Sequence, residues 1–233
     1  MNEAKQSVII VAGGSGSRMQ SEMPKQFIKV AGKEILLHTI DAFLSYSKAI
    51  HIILVLPVQY LDTWQQKLSE VYAHSQLSVC AGGASRTDSV RNGLALCHNE
   101  GIVAIHDAAR PFISATLIAK CFETAQQHGA CIPCIRCNDS TRIITTGDNA
   151  TIDDSICSKN FDRNQLLLVQ TPQCFNAEKL KSLYNNASGS FSDDASLWEQ
   201  SGETIYICEG ESKNIKITTP IDLQVAKVLL SSE

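Results

Sequence analysis

The 233-residue sequence lacks the features that are typical of two large classes, membrane-spanning proteins and nucleic-acid-binding proteins. No apolar run approaches the roughly 18 residues that a membrane-spanning helix requires, so we expect no membrane insertion. No basic block exceeds a few residues, and 20 lysines and arginines are outnumbered by 24 aspartates and glutamates. Nucleic-acid-binding proteins usually carry a basic surface, so the composition predicts no nucleic-acid partner.

A secretory signal is also missing, because the polar N-terminal segment MNEAKQS runs directly into an apolar strand. We therefore expect the nine cysteines to be free thiols in a reducing compartment, which predicts a cytoplasmic protein. Cys131, Cys134 and Cys137 match the start of a bacterial ferredoxin motif, but Thr141 occupies the fourth ligand position. A buried strand over 130–135, with cysteine as a small hydrophobe, is the favoured interpretation; tightly bound iron would contradict it.

Apolar segments of strand length alternate with amphipathic segments of helix length. This alternation predicts an α/β fold, with an open, Rossmann-like, mostly parallel sheet and helices on both faces, in a single domain over residues 1–233. Ligands of such sheets bind at the carboxyl ends of the strands. The predicted strands are 7–12, 50–56, 77–80, 101–106 and 130–135, and the predicted helices lie around 35–46, 59–73, 86–98 and 115–128.

The polar segment 137–164 breaks this pattern. Thr/Ile alternation at 141–145 and the turn signal Gly147-Asp148-Asn149 predict a β-hairpin arm that projects from the sheet. A two-stranded arm buries little surface by itself, so we expect it to pack on a second subunit in a homodimer. A surface loop is the alternative.

The first predicted strand ends in the glycine-rich segment AGGSGSRM (12–19), which MPKQF (23–27) follows. Neither standard phosphate motif fits, because no Gly-Lys-Ser/Thr unit is present and Met19 takes the place of the third glycine in G-x-G-x-x-G. Glycines still let backbone N–H groups approach phosphate oxygens, and Arg18 and Lys25 supply the positive charge. The segment predicts a nucleotide-binding loop, with an ordinary strand-to-helix turn as the alternative.

Four further segments carry candidate functional groups. GGASRTDSV (82–90) is a second glycine-rich strand end, and HDAARPF (106–112) delivers Asp107 and Arg110 to the same predicted edge of the sheet. One or two carboxylates plus substrate phosphates usually hold Mg²⁺, so Asp107 is a candidate magnesium ligand. Arg163 lies in DRNQLLLVQTPQCF (162–175), and Lys216 lies in KNIKITTPIDL (213–223).

The order of these segments resembles that of the 2-C-methyl-D-erythritol 4-phosphate cytidylyltransferases of the non-mevalonate isoprenoid pathway, over about residues 7 to 230. The resemblance implies transfer of CMP from CTP to 2-C-methyl-D-erythritol 4-phosphate, with Mg²⁺, in a homodimer whose arm reaches the partner's site. It implies catalytic roles for Arg18, Lys25, Arg163 and Lys216. The residues that it assigns to binding are Ala12, Gly13, Gly14, Gly83 and Ser89 for CTP, and Asp107 (also the metal ligand), Arg110, Ser140, Thr171 and Ser192 for the second substrate.

The sequence departs from the family pattern at several positions. Ala84 stands where an acidic residue is common, and Ser140 and Ser192 stand where threonine is usual. Ribitol-5-phosphate cytidylyltransferases share the first loop, PKQF and NIKITTP; HDAAR and DRN favour methylerythritol phosphate as the substrate. A non-catalytic nucleotide-binding protein is the alternative of another class, and intact candidate catalytic residues argue against it.

Overall fold

A central β-sheet with helices on both faces forms the body of the chain. The structure is a computed structural model that describes residues 5–13, 23–145, 157–187, 189 and 191–231. In chain order the strands are β1 (Gln6–Val11), β2 (Lys29–Val30), β3 (Lys33–Glu34), β4 (His51–Leu56), β5 (Leu77–Ala81), β6 (Ile102–Asp107), β7 (Ala130–Arg136), β8 (Thr141–Ile144), β9 (Ser158–Phe161), β10 (Leu167–Val169), β11 (Gln173–Asn176) and β12 (Tyr206–Glu209). The α-helices are α1 (Ile35–Tyr46), α2 (Leu61–Val71), α3 (Arg86–Leu96), α4 (Ala115–His128), α5 (Ala177–Asn186), α6 (Asp194–Gln200) and α7 (Pro220–Ser231).

The sheet has the strand order β10-β7-β11-β6-β1-β4-β5, and β12 pairs with β7. The contiguous strands β6, β1, β4 and β5 are all parallel, and β12 is parallel to β7. Strands β10 and β11 run antiparallel to their neighbours. The predicted α/β fold with a mostly parallel sheet is confirmed.

Burial on both faces explains why the strands are almost continuously apolar. Alternate residues of β1 point into two different cores: Val8 and Ile10 face α1, α2 and α4, whereas Ile9 faces α3, α5 and α6. Strand β7 divides its cysteines in the same way, with Cys131 in the first core and Cys134 in the second. No helix in the described part of the chain is long and apolar enough to cross a bilayer.

Strands β8 and β9 form an antiparallel hairpin apart from the main sheet, with Thr141 opposite Phe161 and Ile144 opposite Ser158. The predicted turn at 147–149 lies outside the described residues. A short 3-10 helix (Arg163–Gln165) follows β9 and leads into β10. The chain therefore leaves the main sheet after β7, forms the hairpin, and rejoins the sheet as β10, which pairs with β7.

Candidate active site

Three parallel strands end together at one edge of the sheet. Val11, at the end of β1, is paired with Val55 of β4 and with Asp107 of β6. The chain continues across this edge, because the Ala108 N–H donates to the Val11 carbonyl at 3.2 Å. The predicted first loop and the HDAARPF segment are therefore neighbours, as expected for a doubly wound sheet.

A buried amide anchors the start of the first loop. The side chain of Gln26, which is 2 % exposed, donates to the Ala12 carbonyl, and the Ala12 N–H donates to the Val55 carbonyl at 2.9 Å. Gln26 lies in the 3-10 helix Lys25–Phe27, so this bond holds Lys25 next to the end of β1. The other predicted residues of this loop, Gly14 and Arg18, lie outside the described residues.

The second glycine-rich turn is closed by Ser89. Its hydroxyl accepts from the Gly83 N–H at 3.1 Å and donates to the Ser85 carbonyl at 2.9 Å. A Cβ built on Gly83 would lie 2.2 Å from Asp88 Cβ, so no larger residue fits there without a shift of α3. A Cβ on Gly13 would lie 3.3 Å from the Ser89 oxygen, which places the two glycine-rich turns in contact.

Asp107 is the centre of a charged cluster at the carboxyl end of β6. Its Oδ2 lies 2.8 Å from Lys216 Nζ and 3.5 Å from Arg110 Nε. Burial would raise the pKa of Asp107, but the charges of Lys216, Arg86 and Arg110 and a hydrogen bond from Lys216 lower it to about 2. The carboxylate is therefore ionised throughout the physiological range.

A buried hydroxyl fixes the backbone beneath this carboxylate. Thr171 Oγ1 accepts from the Asp107 N–H at 3.1 Å and lies 3.0 Å from His106 Nδ1. His106 Nε2 lies 3.0 Å from the Arg110 carbonyl, which can only accept, so Nε2 carries the ring proton and Nδ1 accepts from Thr171. Burial lowers the pKa of His106 to about 4, so the ring is neutral. Thr171 thus acts inside the chain to position Asp107.

The segment that carries Lys216 is fastened to the sheet edge by an amide network. Asn214 is fully buried and donates to the Thr171 carbonyl at 3.0 Å and to Gln170 Oε1 at 3.3 Å. Arg110 donates to the Asn214 carbonyl at 2.8 Å, and the Ile217 N–H donates to the Ala109 carbonyl at 2.9 Å. These bonds place Lys216 over Asp107 even though 109 positions of sequence separate them.

Arg86 links the second turn to α6. It makes a two-pronged ion pair with Asp194, with N···O distances of 3.1 and 2.6 Å, and the Tyr184 hydroxyl donates to the same carboxylate. Asp194 is fully buried, and its charge and hydrogen bonds raise the pKa of Arg86 although burial opposes this. Ser192 lies just before this helix, where its hydroxyl is 2.8 Å from that of Ser196.

Three of the predicted site residues do not contact the Asp107 cluster. Arg163 donates to the Asn138 carbonyl at 2.6 Å, at the base of the β8–β9 hairpin. Ser140 is exposed two positions after Asn138. Ser192 is exposed at the start of α6. Within the described residues, no hydrogen bond or ion pair joins these three side chains to Asp107 or Lys216.

The groups that hold the site together were not among the predicted residues. Gln26 and Asn214 lie inside the segments PKQF and NIKITTP, but a buried amide gives no signal of its own without its partner. Gln173 bonds to the Asp193 carboxylate at 2.8 Å and accepts from the N–H groups of Asp194 and Ala195. Gln173 ends the TPQ segment and begins β11, so that segment was the available signal for this contact.

The edge as a whole suits an anionic ligand. Lysine and arginine side chains surround one carboxylate, and the start of the first glycine-rich turn lies at the same edge, in contact with the second. Such an arrangement can neutralise and position a polyphosphate together with a second phosphorylated molecule.

Comparison with known proteins agrees with this geometry. Residues 6–232 match the family model described as 2-C-methyl-D-erythritol 4-phosphate cytidylyltransferase. The proteins of that name from Bacteroides thetaiotaomicron and Phocaeicola vulgatus are 44 % and 42 % identical, over 97 % and 96 % of this chain and 100 % and 98 % of theirs. The crystal structure of 4-diphosphocytidyl-2C-methyl-D-erythritol synthase from Anaerococcus prevotii aligns with a TM-score of 0.80 at 28 % identity, covering 97 % of this chain and 98 % of that one.

Proposed function

The chain belongs to the 2-C-methyl-D-erythritol 4-phosphate cytidylyltransferase family, and we propose on that basis that it transfers CMP from CTP to 2-C-methyl-D-erythritol 4-phosphate. The products are 4-diphosphocytidyl-2-C-methyl-D-erythritol and pyrophosphate, in isoprenoid precursor synthesis. The observation that carries the proposal is the full-length family match. The cluster of Asp107, Arg110 and Lys216 at the sheet edge supports it.

The reaction joins two anions, so its main requirements are positioning and charge neutralisation. A phosphate oxygen of methylerythritol phosphate attacks the α-phosphorus of CTP, and the bond from that phosphorus to the bridging oxygen of pyrophosphate breaks. Lys25 and Arg18 neutralise the triphosphate, and Lys216 and Arg163 hold the attacking phosphate. Ala12, Gly13, Gly14, Gly83 and Ser89 contact CTP in this proposal.

The remaining predicted residues bind the alcohol substrate. Asp107 accepts hydrogen bonds from its hydroxyl groups, and Arg110 keeps that carboxylate in place. Thr171 contributes through Asp107 and His106, to which its hydroxyl is already bonded. Ser140 and Ser192 complete the pocket, with the hydroxyl groups that the family's threonines would supply.

Mg²⁺ fits the donors present at the sheet edge. The hydrogen bonds and ion pairs of the described residues engage Asp107 Oδ2, and none of them involves Oδ1, a hard oxygen donor. Asp107 and the CTP phosphates would hold the ion, which would supply further neutralisation of the triphosphate. Two cations already surround Asp107, so phosphate oxygens must provide most of the ligands.

We further propose a homodimer formed through the β8–β9 hairpin. The hairpin and the neighbouring edge strands expose several large apolar side chains, which are Ile143, Ile144, Leu167, Leu168, Val169, Tyr206 and Ile207. Burial of this surface against a second copy would bring Arg163 and Ser140 to the partner's site. It would also explain why neither residue reaches the Asp107 cluster of its own chain.

A cytoplasmic location is proposed from the thiols. All nine cysteines lie in described parts of the chain, and none is in a disulfide, which is typical of proteins in a reducing compartment. Cell fractionation with antibody detection would test this location.

The function is tested by release of pyrophosphate from CTP and Mg²⁺ with purified protein. We expect turnover with 2-C-methyl-D-erythritol 4-phosphate and little with ribitol 5-phosphate. Turnover of ribitol 5-phosphate alone would contradict the proposal in favour of the related family. Binding of CTP without turnover of either alcohol phosphate would favour a non-catalytic protein.

A further inference from the structure

Four cysteine side chains meet in the core beneath α4, well inside the fold. Cys121 comes from α4, Cys131 from β7, Cys174 from β11 and Cys208 from β12. All four belong to the same core, where three have no exposed surface and Cys208 retains 5 %. Four elements, of which only α4 and β7 are consecutive in the chain, thus contribute one thiol each.

The sheet register explains why the thiols converge. Cys131 is directly opposite Cys174 in the β7–β11 pair, and Cys208 is opposite Pro133 in the β7–β12 pair. Positions 131 and 133 share one face of β7 because side chains alternate along a strand. The three strand thiols therefore project to the side that α4 covers with Cys121.

Three of the four sulfur atoms are close enough to share one small ligand, and the fourth, that of Cys174, belongs to the same core. Cys121 Sγ lies 3.5 Å from Cys208 Sγ, and the Sγ atoms of Cys121, Cys131 and Cys208 all lie within 4.8 Å of one another. Cys174 is directly opposite Cys131 in the sheet and belongs to the same core, and its thiol interacts electrostatically with Cys131 and Cys208. A tetrahedral zinc ion with Zn–S bonds of about 2.3 Å holds its sulfur ligands about 3.8 Å apart.

We propose that Cys121, Cys131, Cys174 and Cys208 form a closed, all-sulfur structural site for a thiophilic cation of the Zn²⁺ class. The donors include no carboxylate or imidazole, and an all-thiolate set selects soft or borderline metals over Mg²⁺. Cys121, Cys131 and Cys208 would supply three corners of the tetrahedron from their present positions, and Cys174 would turn its thiol towards them to supply the fourth. Lys120 interacts electrostatically with Cys208 and offsets part of the negative charge of the thiolates.

This group differs from the ferredoxin-like motif in the sequence. Cys134 faces the opposite core, and Cys137 lies beyond the end of β7, so the sequential motif cannot place its three sulfurs around one ion. Only Cys131 belongs to both sets. The candidate site is assembled by the fold, which is why no spacing rule reveals it.

The first test is the metal content of the whole protein, purified without a histidine tag and with its thiols reduced. We expect about one zinc ion per chain by inductively coupled plasma mass spectrometry, retained after dialysis against EDTA. Cys208→Ser should lower the zinc content by at least about tenfold. The matched control is Cys134→Ser, which removes a thiol of equal burial from the opposite core and should keep the zinc.

X-ray absorption on the zinc-loaded, unsubstituted protein tests the site even if Cys208→Ser fails to fold. We expect a zinc shell of sulfur only, at about 2.3 Å. Nitrogen or oxygen ligands would overturn the proposal. An unchanged zinc content in Cys208→Ser would also overturn it, and so would iron bound in place of zinc. A third contrary result is less than about a tenth of an equivalent of zinc in folded protein that was supplied with zinc. The last result would identify the four thiols as ordinary core residues.

Discussion

Lys216 Nζ lies 2.8 Å from Asp107 Oδ2, and this contact joins the segment before α7 to the carboxyl end of β6. Arg110 approaches the same oxygen at 3.5 Å. The closer cation therefore comes from the segment that is more distant in sequence. Loss of Lys216 would change both the charge presented to a phosphate and the surroundings of the carboxylate.

Replacing Lys216 with glutamine should reduce kcat/KM by about 10²–10³-fold, because the cation proposed to hold the attacking phosphate is lost. The pKa of Asp107 should rise from about 2 towards its ordinary value, since Lys216 is its strongest charge partner. The free energy of unfolding at neutral pH should fall by about 1–2 kcal/mol, because part of the stabilisation that accompanies the low pKa of Asp107 is lost while Arg110 remains beside it. Steady-state kinetics, carboxyl NMR titration and urea unfolding measure these three quantities.

Lys213→Gln is the matched control for that experiment. It removes the same charge from the same segment, three positions earlier, where the side chain is exposed. Near-normal activity in Lys213→Gln and a large loss in Lys216→Gln would assign the effect to the contact with Asp107. Equal losses in both variants would contradict a specific role for Lys216.

His106 should make the stability of the protein fall as the pH falls from about 6.5 to about 4. The folded-state pKa is lowered to about 4 by burial, whereas an unfolded histidine titrates near 6.5. Below pH 6.5 the His106 ring binds a proton in the unfolded chain but not in the folded chain, so the free energy of unfolding decreases. The decrease should reach roughly 3 kcal/mol at the lower end.

The contribution of His106 is isolated by comparing urea unfolding of the protein and His106→Gln across this pH range. Carboxyl groups titrate in both proteins, so their contributions cancel when one curve of unfolding free energy against pH is subtracted from the other. The difference should show the decrease expected from His106 alone. His74→Gln, which removes an exposed histidine, should follow the original curve. A difference curve that is flat from pH 7 to 4 would rule out a neutral, buried His106.

Arg86→Gln should lower the free energy of unfolding by about 3–5 kcal/mol, because it leaves the carboxylate of Asp194 buried without its counter-ion. Asp194 is fully buried, and the Tyr184 hydroxyl then remains as a neutral donor. The double variant Arg86→Gln/Asp194→Asn should recover part of the loss, since no charge stays buried. Chemical denaturation of the single and double variants completes the cycle.

Arg91→Gln provides the comparison for this ion pair. Arg91 pairs with Asp88 one turn further along α3, and both side chains are more than a third exposed, at 34 % and 40 %. We expect a clearly smaller loss there, because water screens an exposed pair and leaves no buried charge behind. If Arg86→Gln costs no more than Arg91→Gln, the Arg86–Asp194 pair does not hold α6 against α3.

The fold was predictable from the sequence where the signal is local. The predicted strand 50–56 is β4 (His51–Leu56), and the predicted helix 35–46 is α1 (Ile35–Tyr46). Both are long enough for periodicity to identify them. Strands β10 and β12 have only three and four residues, too few for periodicity to fix their bounds, and their places in the sheet are set by pairing with β7.

The candidate site was predictable only in part, for a related reason. Asp107 ends a strong strand, so the topology alone brings it to the sheet edge. The partner of Thr171 is His106, 65 positions away, and no pattern in either segment indicates that their side chains meet. Groups that act through a distant neighbour become visible only when both ends of the contact are in place.

Arg163 should act on the active site of the partner subunit if the β8–β9 hairpin forms the proposed dimer. Lys25→Ala and Arg163→Ala should each be nearly inactive as homodimers. In a heterodimer of the two variants, the site of the Arg163→Ala chain keeps its own Lys25 and receives Arg163 from the Lys25→Ala chain. That site is intact, and the other site lacks both residues. Random exchange of the two variants in equal amounts should therefore restore roughly a quarter of the original activity. Pyrophosphate release after co-refolding or co-expression measures this recovery.

The control mixture pairs Lys25→Ala with Lys216→Ala. Lys216 contacts Asp107 of its own chain, and Gln26 ties the turn that carries Lys25 to Ala12 of its own chain, so every site in this heterodimer lacks one lysine. No activity should return. Recovery in the Arg163 mixture but not in the control would place Arg163 across the interface. If both mixtures stay inactive while sedimentation shows dimers, Arg163 serves the site of its own chain, and the contact with Asn138 must open to let it reach Asp107.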